Sequence, residues 1–416
     1  MALKMSLGFA NKEQNHASGG QGYMQSSVKV FEYFPDNYSW NMAVLMTVQV
    51  GGEMSEIEEA CRPLRDDAPK GASSKERQVQ WFESWCKLAD RVRGLADRDR
   101  ANGHNRSAAR KYHRACLYYM AAERQMSHRD PRKMQSYDAM LDAFRLSMEL
   151  SGNPVEFVDV PYEKTVLPSL YVAPPTAEPG ACMIVFDGFD VSKEWAFLSD
   201  LTTELSARNI GCLHVDHPGC GAALRKLKLP AIADIERAAT ACVDWLSQRP
   251  EIDPKRIGII APSLGGYYAF RSAAFEPRLA CAVAHGARWD NDGSHGRILR
   301  NPGAARSIAD WLDHAMWYYG TSTEQETAKA IAAMSLEGGV AERIRCPVLV
   351  AHGGNDRQVP LEQATTMVER AINSPRRDLK VFDATEGGIE HCGVDNMSIQ
   401  IDYMADWIAE VLAPAR

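Results

Sequence analysis

The chain is 416 residues long, which leaves room for more than one hydrophobic core. Apolar residues make up 45% and charged residues 24%, the balance of an ordinary globular protein. The net charge of −7 argues against nucleic acid as a partner, and no apolar run reaches the ~18–20 residues that cross a bilayer, so no membrane span is expected.

The first stretch, MALKMSLGFANKEQNHASGGQGYMQSS, lacks the apolar segment of a secretory signal and reads as a polar, mobile tail over residues 1–25. Ten cysteines are scattered singly with no CxxC pair, which suits free thiols in a reducing cytoplasm, the expected location.

Residues 26–153 read as a helical N-terminal (cap) domain. In QVQWFESWCKLADRVRGLAD, Trp81, Trp85, Leu88 and Val92 recur at spacings of three and four, which predicts an amphipathic helix. A second helix is expected in NRSAARKYHRACLYYMAAERQM, with Ala109, Tyr112, Cys116 and Tyr119 on one face. A third runs through KMQSYDAMLDAFRLSMEL and stops at Ser151-Gly152-Asn153-Pro154. Basic residues outnumber acidic ones between Arg91 and Lys133, and the interleaved apolar stripes favour a solvated helix face over an acidic-ligand surface.

From residue 154 to residue 416 short strands alternate with helices. ACMIVFDGF, GCLHVDHPGCG, RIGIIAPSLGG, ACAVAHGARWD, CPVLVAHGGND and LKVFDAT read as strands. Helical patterns lie around Phe197–Ala207 and in IADIERAATACVDWLSQRP, LEQATTMVERAI and SIQIDYMADWIAEVLA. This alternation predicts an α/β fold, a mostly parallel, doubly wound sheet with reactive groups at the carboxyl ends of its strands.

One strand end carries a serine on a tight turn. In IGIIAPSLGGYYAF, a buried strand runs into Ser263 and then a helix, the layout of a G-x-S-x-G elbow with Ala261 in place of the first glycine. A serine hydroxyl needs a base, and the base needs an orienting acid, in the chain order Ser, Asp/Glu, His. Asp356 follows the CPVLVAHGG strand, and His391 is the one histidine after it. His352, on the strand itself, suits local packing. Asp383, Glu386 and Glu390 share a segment with His391 and are less suited to orient it. Singly, Asp356 could cap a turn and His391 could sit in a surface loop; three such residues at successive strand ends favour a Ser263–Asp356–His391 triad.

A tetrahedral intermediate needs fixed N–H donors. The Leu264 N–H is one candidate. The second is expected after the MIVFDGF strand, where Gly188 lets the backbone approach the substrate: Phe189 N–H, with Asp190 as the fallback, although Phe189 could instead be only an apolar wall. Asp290, at the end of AVAHGARWD, could polarise a substrate, but a turn or helix cap is the favoured role. The turn Asp216–Gly221 shapes the pocket without chemistry, and Trp311, Trp317, Tyr318 and Tyr319 either line it or form plain core. No HExxH, paired-His or glycine-rich nucleotide pattern stands out, so neither a metal nor a cofactor is expected.

These stretches resemble a known family, the α/β-hydrolases with a helical N-terminal domain. The group includes a fungal pigment-pathway hydrolase that shortens a polyketide chain, a bacterial dihydroxypseudooxynicotine hydrolase and the fermentation–respiration switch protein. The resemblance is carried by GHNRSAARKYHRACLYYMAAE, DGFDVSKEW, DHPGCG, APSLGGYYA, CPVLVAHGGNDRQVP and GGIEHCGVDN. It implies the same triad, a site between the helical and catalytic parts, often a dimer, and cleavage of a C–C bond next to a ketone in a polyketide-like or acyl-aromatic small molecule. A carboxylesterase or thioesterase using the same residues is the alternative, and a non-catalytic regulatory binding protein a further one. DGFD stands where relatives often carry a Gly-Gly loop.

Overall fold

The computed structural model describes residues 30–66, 74–301 and 303–414, so the tail expected over residues 1–25 lies outside them. Five helices come first: α1 Tyr38–Gln49, α2 Met54–Asp66, α3 Ser74–Ala101, α4 Asn105–Gln125 and α5 Pro131–Ser151. Local chemistry sets their ends. The Asn37 side chain accepts the Trp40 N–H at the start of α1. Asp130 accepts the Arg132 N–H, with Pro131 at the first turn of α5, and Gly152 closes that helix at φ 70°. The predicted stripe is buried as a run of rings, with Trp40–Trp81 centroids 4.9 Å apart and Trp81–Trp85 5.3 Å apart.

Eight strands follow: β1 Glu156–Tyr162, β2 Thr165–Val172, β3 Gly180–Val185, β4 Ile210–Val215, β5 Ile252–Pro262, β6 Cys281–His285, β7 Val348–Gly353 and β8 Arg377–Phe382. They form one sheet in the order β1-β2-β4-β3-β5-β6-β7-β8. β1–β2 and β2–β4 pair antiparallel, and every pairing from β4 to β8 is parallel. β3, β4, β6 and β7 are buried along their whole length, as a sheet covered on both faces requires. Their side chains alternate between two cores. Met183, Val185, Leu349 and Ala351 join a cluster that includes the α1–α5 tryptophans and the closing helix Met397–Val411. Cys182, Ile184, Val348 and Val350 join a cluster with the helices Glu236–Leu246 and Gly265–Phe275.

Two expectations change. The helix around Phe197–Ala207 is two short helices, Lys193–Leu198 and Leu201–Ala207; Ser199, between them, turns its hydroxyl back onto the Ala196 carbonyl. The basic stretch of α4 and α5 is only partly a solvated face. Arg124 and Lys133 are buried, because carboxylates await them inside: Lys133 Nζ lies 2.9 Å and Arg225 Nε 2.7 Å from Glu123 Oε1, and Arg124 Nη2 lies 2.6 Å from Asp190 Oδ2. Arg225 and Asp190 belong to the sheet half of the chain, so these pairs register the helices on the strand ends. Among the described residues no helix is long and apolar enough to cross a membrane.

Removing the shared carboxylate leaves two buried cations. Glu123→Gln is expected to cost about 3–5 kcal/mol in urea unfolding, whereas Arg237→Gln, which breaks the exposed pair with Glu163, is expected to cost under ~1 kcal/mol.

Candidate active site

β5 ends in the elbow. Ser263 has φ 58°, a left-handed conformation that is strained for a side-chain-bearing residue, typically by about 1–3 kcal/mol. Two hydrogen bonds hold it there: Ser263 N–H to the His285 carbonyl at the end of β6 (2.8 Å), and Gly266 N–H to the Ser263 carbonyl (2.9 Å). The helix beginning at Gly265 comes very close to the strand. A Cβ on Gly265 would lie 2.6 Å from the Ala261 Cβ and 3.1 Å from the Asp187 carbonyl oxygen. The elbow therefore accepts alanine at its first small position because position 265 has no side chain.

Ser263, His391 and Asp356 are brought together. His391 Nε2 is 2.8 Å from Ser263 Oγ, and His391 Nδ1 is 2.7 Å from Asp356 Oδ2. The other Asp356 oxygen accepts the N–H groups of Gln358 (2.8 Å) and Val359 (2.9 Å), which fixes the carboxylate edge-on to the imidazole. His391 and the side chain of Asp356 are buried, while Ser263 is partly accessible. Burial alone would push the Asp356 carboxyl up, but the His391 imidazole beside it holds it down at about 2. Burial likewise opposes charge on His391, and the Asp356 carboxylate outweighs it, raising the imidazole above its ordinary range.

The loops carrying acid and imidazole are sewn together. Asn355 donates its backbone N–H to the Ile389 carbonyl (2.8 Å) and its side-chain amide to Glu390 (2.7 Å); Arg357 Nε reaches the other Glu390 oxygen (3.0 Å). The neighbours of Asp356 thus grip the residue before His391, and Glu390 serves that clamp rather than the imidazole. His352 is engaged locally, its Nδ1 accepting the Ala287 N–H (3.3 Å) and its Nε2 donating to the Val359 carbonyl (3.2 Å).

The loop after β3 covers the serine. A Cβ on Gly188 would stand 3.1 Å from both Pro262 O and Ser263 Cβ, and 3.7 Å from Leu264 N, so this backbone approach needs glycine. Leu264 precedes the first helical turn, where an N–H has no i−4 carbonyl to bond. The Phe189 ring is also a wall. It packs against His295, His314, Tyr318 and Trp311 at 4.5, 4.7, 4.8 and 5.6 Å, and its carbonyl accepts from His314 Nε2 (3.1 Å). Burial holds His314 neutral, down at about 3. Of the expected aromatic lining, Trp311, Tyr318 and Tyr319 are buried and Trp317 stacks on His128 at 5.2 Å.

The two acids flanking Gly188-Phe189 behave oppositely. The Asp190 side chain is only 10% exposed, and this desolvation alone would raise it, yet the Arg124 guanidinium beside it and the Ser307 hydroxyl hold its carboxyl below the usual range. Asp187 is fully buried and, among the described residues, neither of its oxygens has a hydrogen-bond partner; burial, reinforced by Asp216 and Glu194, pushes it well above the carboxylate range. Asp216 is held by Lys193 Nζ (2.7 Å) and by the N–H groups of Lys193 and Ala222. Asp290 is placed elsewhere than a substrate-facing position. Its carboxylate accepts from the Gly293 N–H and from Gln363 Nε2 (3.1 Å), and its own N–H donates to Gln363 Oε1 (3.0 Å), so it closes a turn. Arg124 and the His285 carbonyl were not singled out by sequence reasoning, because each acts across a large sequence separation on a residue with no pattern linking the two. Among the described residues no group of three or more His, Cys, Asp or Glu side chains is arranged to hold a metal ion, and all ten cysteines are unpaired.

The elbow packing is testable. Gly265→Ala is expected to destabilise by about 1–3 kcal/mol through its contact with Ala261. Ala261→Gly in the same chain should restore part of that loss, giving a non-additive double-mutant cycle in chemical denaturation.

A sequence model of the prolyl oligopeptidase family matches residues 237–415, the part that holds Ser263, Asp356 and His391. Over nearly the whole chain the protein is 26% identical to the 20-hydroxy-prefusarin hydrolase of Gibberella moniliformis, covering 88% of this chain and 94% of that one. It is 28% identical to the 2,6-dihydropseudooxynicotine hydrolase of Paenarthrobacter nicotinovorans, covering 83% and 88%. The crystal structure of a 2,6-dihydroxy-pseudo-oxynicotine hydrolase superposes with a TM-score of 0.70 at 24% identity, covering 89% of this chain and 95% of that one. With its mostly parallel sheet, its helical N-terminal region and these chain-length relatives, the protein is an enzyme of the α/β-hydrolase fold.

Proposed function

We propose that the protein is a serine hydrolase that cleaves a C–C bond next to a ketone in a β-diketone or acyl-aromatic small molecule, with Ser263 as nucleophile, His391 as general base and acid, and Asp356 as the acid that orients it. The observation that carries this reading is the unbroken hydrogen-bonded chain from Ser263 Oγ through both His391 nitrogens to Asp356. The aromatic wall around Phe189 supports a flat, conjugated substrate, and the full-length relatives support hydrolysis as the reaction class.

The chemistry follows from the positions. Ser263 Oγ adds to the ketone carbonyl while His391 Nε2 takes its proton. The oxyanion is received by the N–H groups of Leu264 and Phe189, on either side of the Gly188 contact. Collapse breaks the C–C bond, whose electron pair leaves as an enolate stabilised by the second carbonyl, and His391 returns the proton to its carbon. Water, deprotonated by His391, then cleaves the acyl-serine to a carboxylic acid. An ester would need the same steps with an alkoxide leaving.

A fluorophosphonate probe is expected to label the wild-type enzyme and not Ser263→Ala. Benzoylacetone should be split into an acid and a methyl ketone at a rate that Ser263→Ala lowers by at least about 10³-fold. Turnover of aryl esters with no diketone cleavage would make the enzyme an esterase, and no labelling would favour a binding protein.

The pH dependence has a definite sign. His391 must be neutral to accept the serine proton, and Asp356 raises its pKa above the ordinary value of about 6.5. The kcat/KM profile should therefore rise with pH, with its acid limb above about 6.5. Asp356→Asn should move that limb downward and lower kcat by about 10⁴-fold.

A further inference from the structure

Away from the serine, a cavity of about 220 Å³ opens between the start of α1, the start of α3 and Ala309 of the catalytic half. That is room for several water molecules or a small ligand. Asn37 and Trp40 line it from one helix, and Ser74, Arg77 and Gln78 from the other. Ser74 and Arg77 are exposed, so the cavity is entered from solvent along its rim. Gln78 lies deeper and is only 5% exposed, yet its amide has no hydrogen-bond partner among the described residues. Buried amides are normally bonded, so an unserved one on a cavity wall points to something that the cavity takes up.

The lining fixes the chemistry of that ligand. Among the described residues on these walls, Arg77 alone is charged. Its guanidinium lies 5.0 Å over the Trp40 ring and has no carboxylate partner among the described residues. Stacking on the ring leaves the N–H fork, which lies in the guanidinium plane, free to bond. The Asn37 side-chain oxygen is taken by the Trp40 N–H (3.2 Å) and the Ser39 hydroxyl (3.0 Å), which leaves its amide N–H groups as donors. Both helices begin here, and the first-turn N–H groups of a helix carry partial positive charge with no i−4 carbonyl to bond. A cation, side-chain donors and two helix N-termini call for an anion. These groups come from two different helices, so the anion needs acceptors in diverging directions. A tetrahedral phosphate supplies them, and a planar carboxylate does not.

We propose that this cavity is a phosphate-binding site, separate from the Ser263 centre, in which Arg77 pairs with the anion and Asn37, Ser74 and Gln78 donate hydrogen bonds to it. The phosphate group is the free ion or the phosphoryl end of a small molecule. Bound there, it ties α1 to α3 across the cavity. The first residue of α1 also meets the loop of Asp356: Gln358 Nε2 lies 3.2 Å from Tyr38 Oη, and the Arg357 guanidinium sits 4.5 Å over the Tyr38 ring. An occupied site therefore braces the end of α1 that rests on that loop.

Calorimetric titration of the full chain in phosphate-free buffer of low ionic strength tests the site, with inorganic phosphate, phenyl phosphate and acetate as probes. Phosphate is expected to bind one to one and about tenfold or more tightly than acetate. Tighter binding of phenyl phosphate than of the inorganic ion assigns a phosphoryl ligand, and the reverse assigns the free ion. Arg77→Gln should weaken phosphate about tenfold or more. Gln78→Leu removes an amide without a protein partner, so the melting temperature should be unchanged or higher while phosphate binding falls about tenfold. A glutamine with only a structural role would show neither result. Arg91→Gln, further along α3 and paired with Glu59, should change phosphate binding by less than about twofold. Ser263→Ala should bind phosphate as wild type does. No phosphate binding, equal binding of acetate, or wild-type affinity in either Arg77→Gln or Gln78→Leu overturns the site. An equal loss in Arg91→Gln reduces the effect to net charge, and a loss in Ser263→Ala places the anion at the serine; either result also overturns it.

Discussion

The candidate site depends on a single carbonyl. The His285 oxygen, at the end of β6, accepts the Ser263 N–H from β5 and the Cys392 S–H (3.2 Å) from the turn after β8. Both donors belong to residues with positive φ, 58° and 51°, conformations an isolated chain avoids. One acceptor therefore pins the backbone of the serine and the residue next to His391, and the 2.8 Å Ser263–His391 contact is a consequence of that shared anchor. The His285 side chain extends the same restraint, its Nε2 lying 2.6 Å from Gln400 Oε1 on the closing helix, while the Gln400 amide donates to the Gly388 carbonyl in the His391 loop. Strain at an elbow persists only where the surroundings over-determine it, and here three strand ends and a helix do so.

The helical region is attached through charge as well as apolar surface. The tryptophan cluster of α1 and α3 continues into the sheet core, but apolar packing alone tolerates small slips between layers. The Glu123–Arg225 and Arg124–Asp190 pairs do not, because sliding either one leaves a desolvated ion. Gln125 adds a third tie, with its amide near the Ser39 and Ser307 carbonyls (3.3 Å each) and its oxygen accepting the Ala309 N–H (3.0 Å). Three consecutive residues at the end of α4 thus fix the helices against the loop after β3 and the segment before Trp311.

Much of this was legible in the chain. Apolar runs ending in glycine or a polar residue marked β3, β5, β6 and β7, because strands buried on both faces have no alternation to hide. The order of Ser263, Asp356 and His391 followed from strand ends, which a parallel sheet places along one edge. What stayed hidden depends on contacts across the fold. Arg124 sits in a run of basic residues that looks solvated until Asp190, 66 positions away, is folded against it. Asp290, like Asp356, is an acid after a strand, and a glycine three residues on and Gln363 absorb its carboxylate. Glu390 is less suited to orient the imidazole because it shares a segment with His391, and only the positions of Asn355 and Arg357 show that it fastens two loops.

The DGFD loop poses a physical problem that its surroundings resolve. Two aspartates flank the Gly188-Phe189 backbone where negative charge would develop on the proposed oxyanion, and in a desolvated site two carboxylates there would oppose it strongly. Each is disarmed differently. Asp190 keeps its charge and is matched by Arg124, so the pair presents a dipole rather than an anion. Asp187 has no cation in contact, and burial next to Asp216 and Glu194 pushes its carboxyl well above the usual range, toward the neutral form. A loop of this composition suits the proposed oxyanion only if the helical region delivers Arg124 and the β3–β4 strand ends stay dry, which makes the N-terminal helices a condition of the proposed chemistry as well as a cover for it.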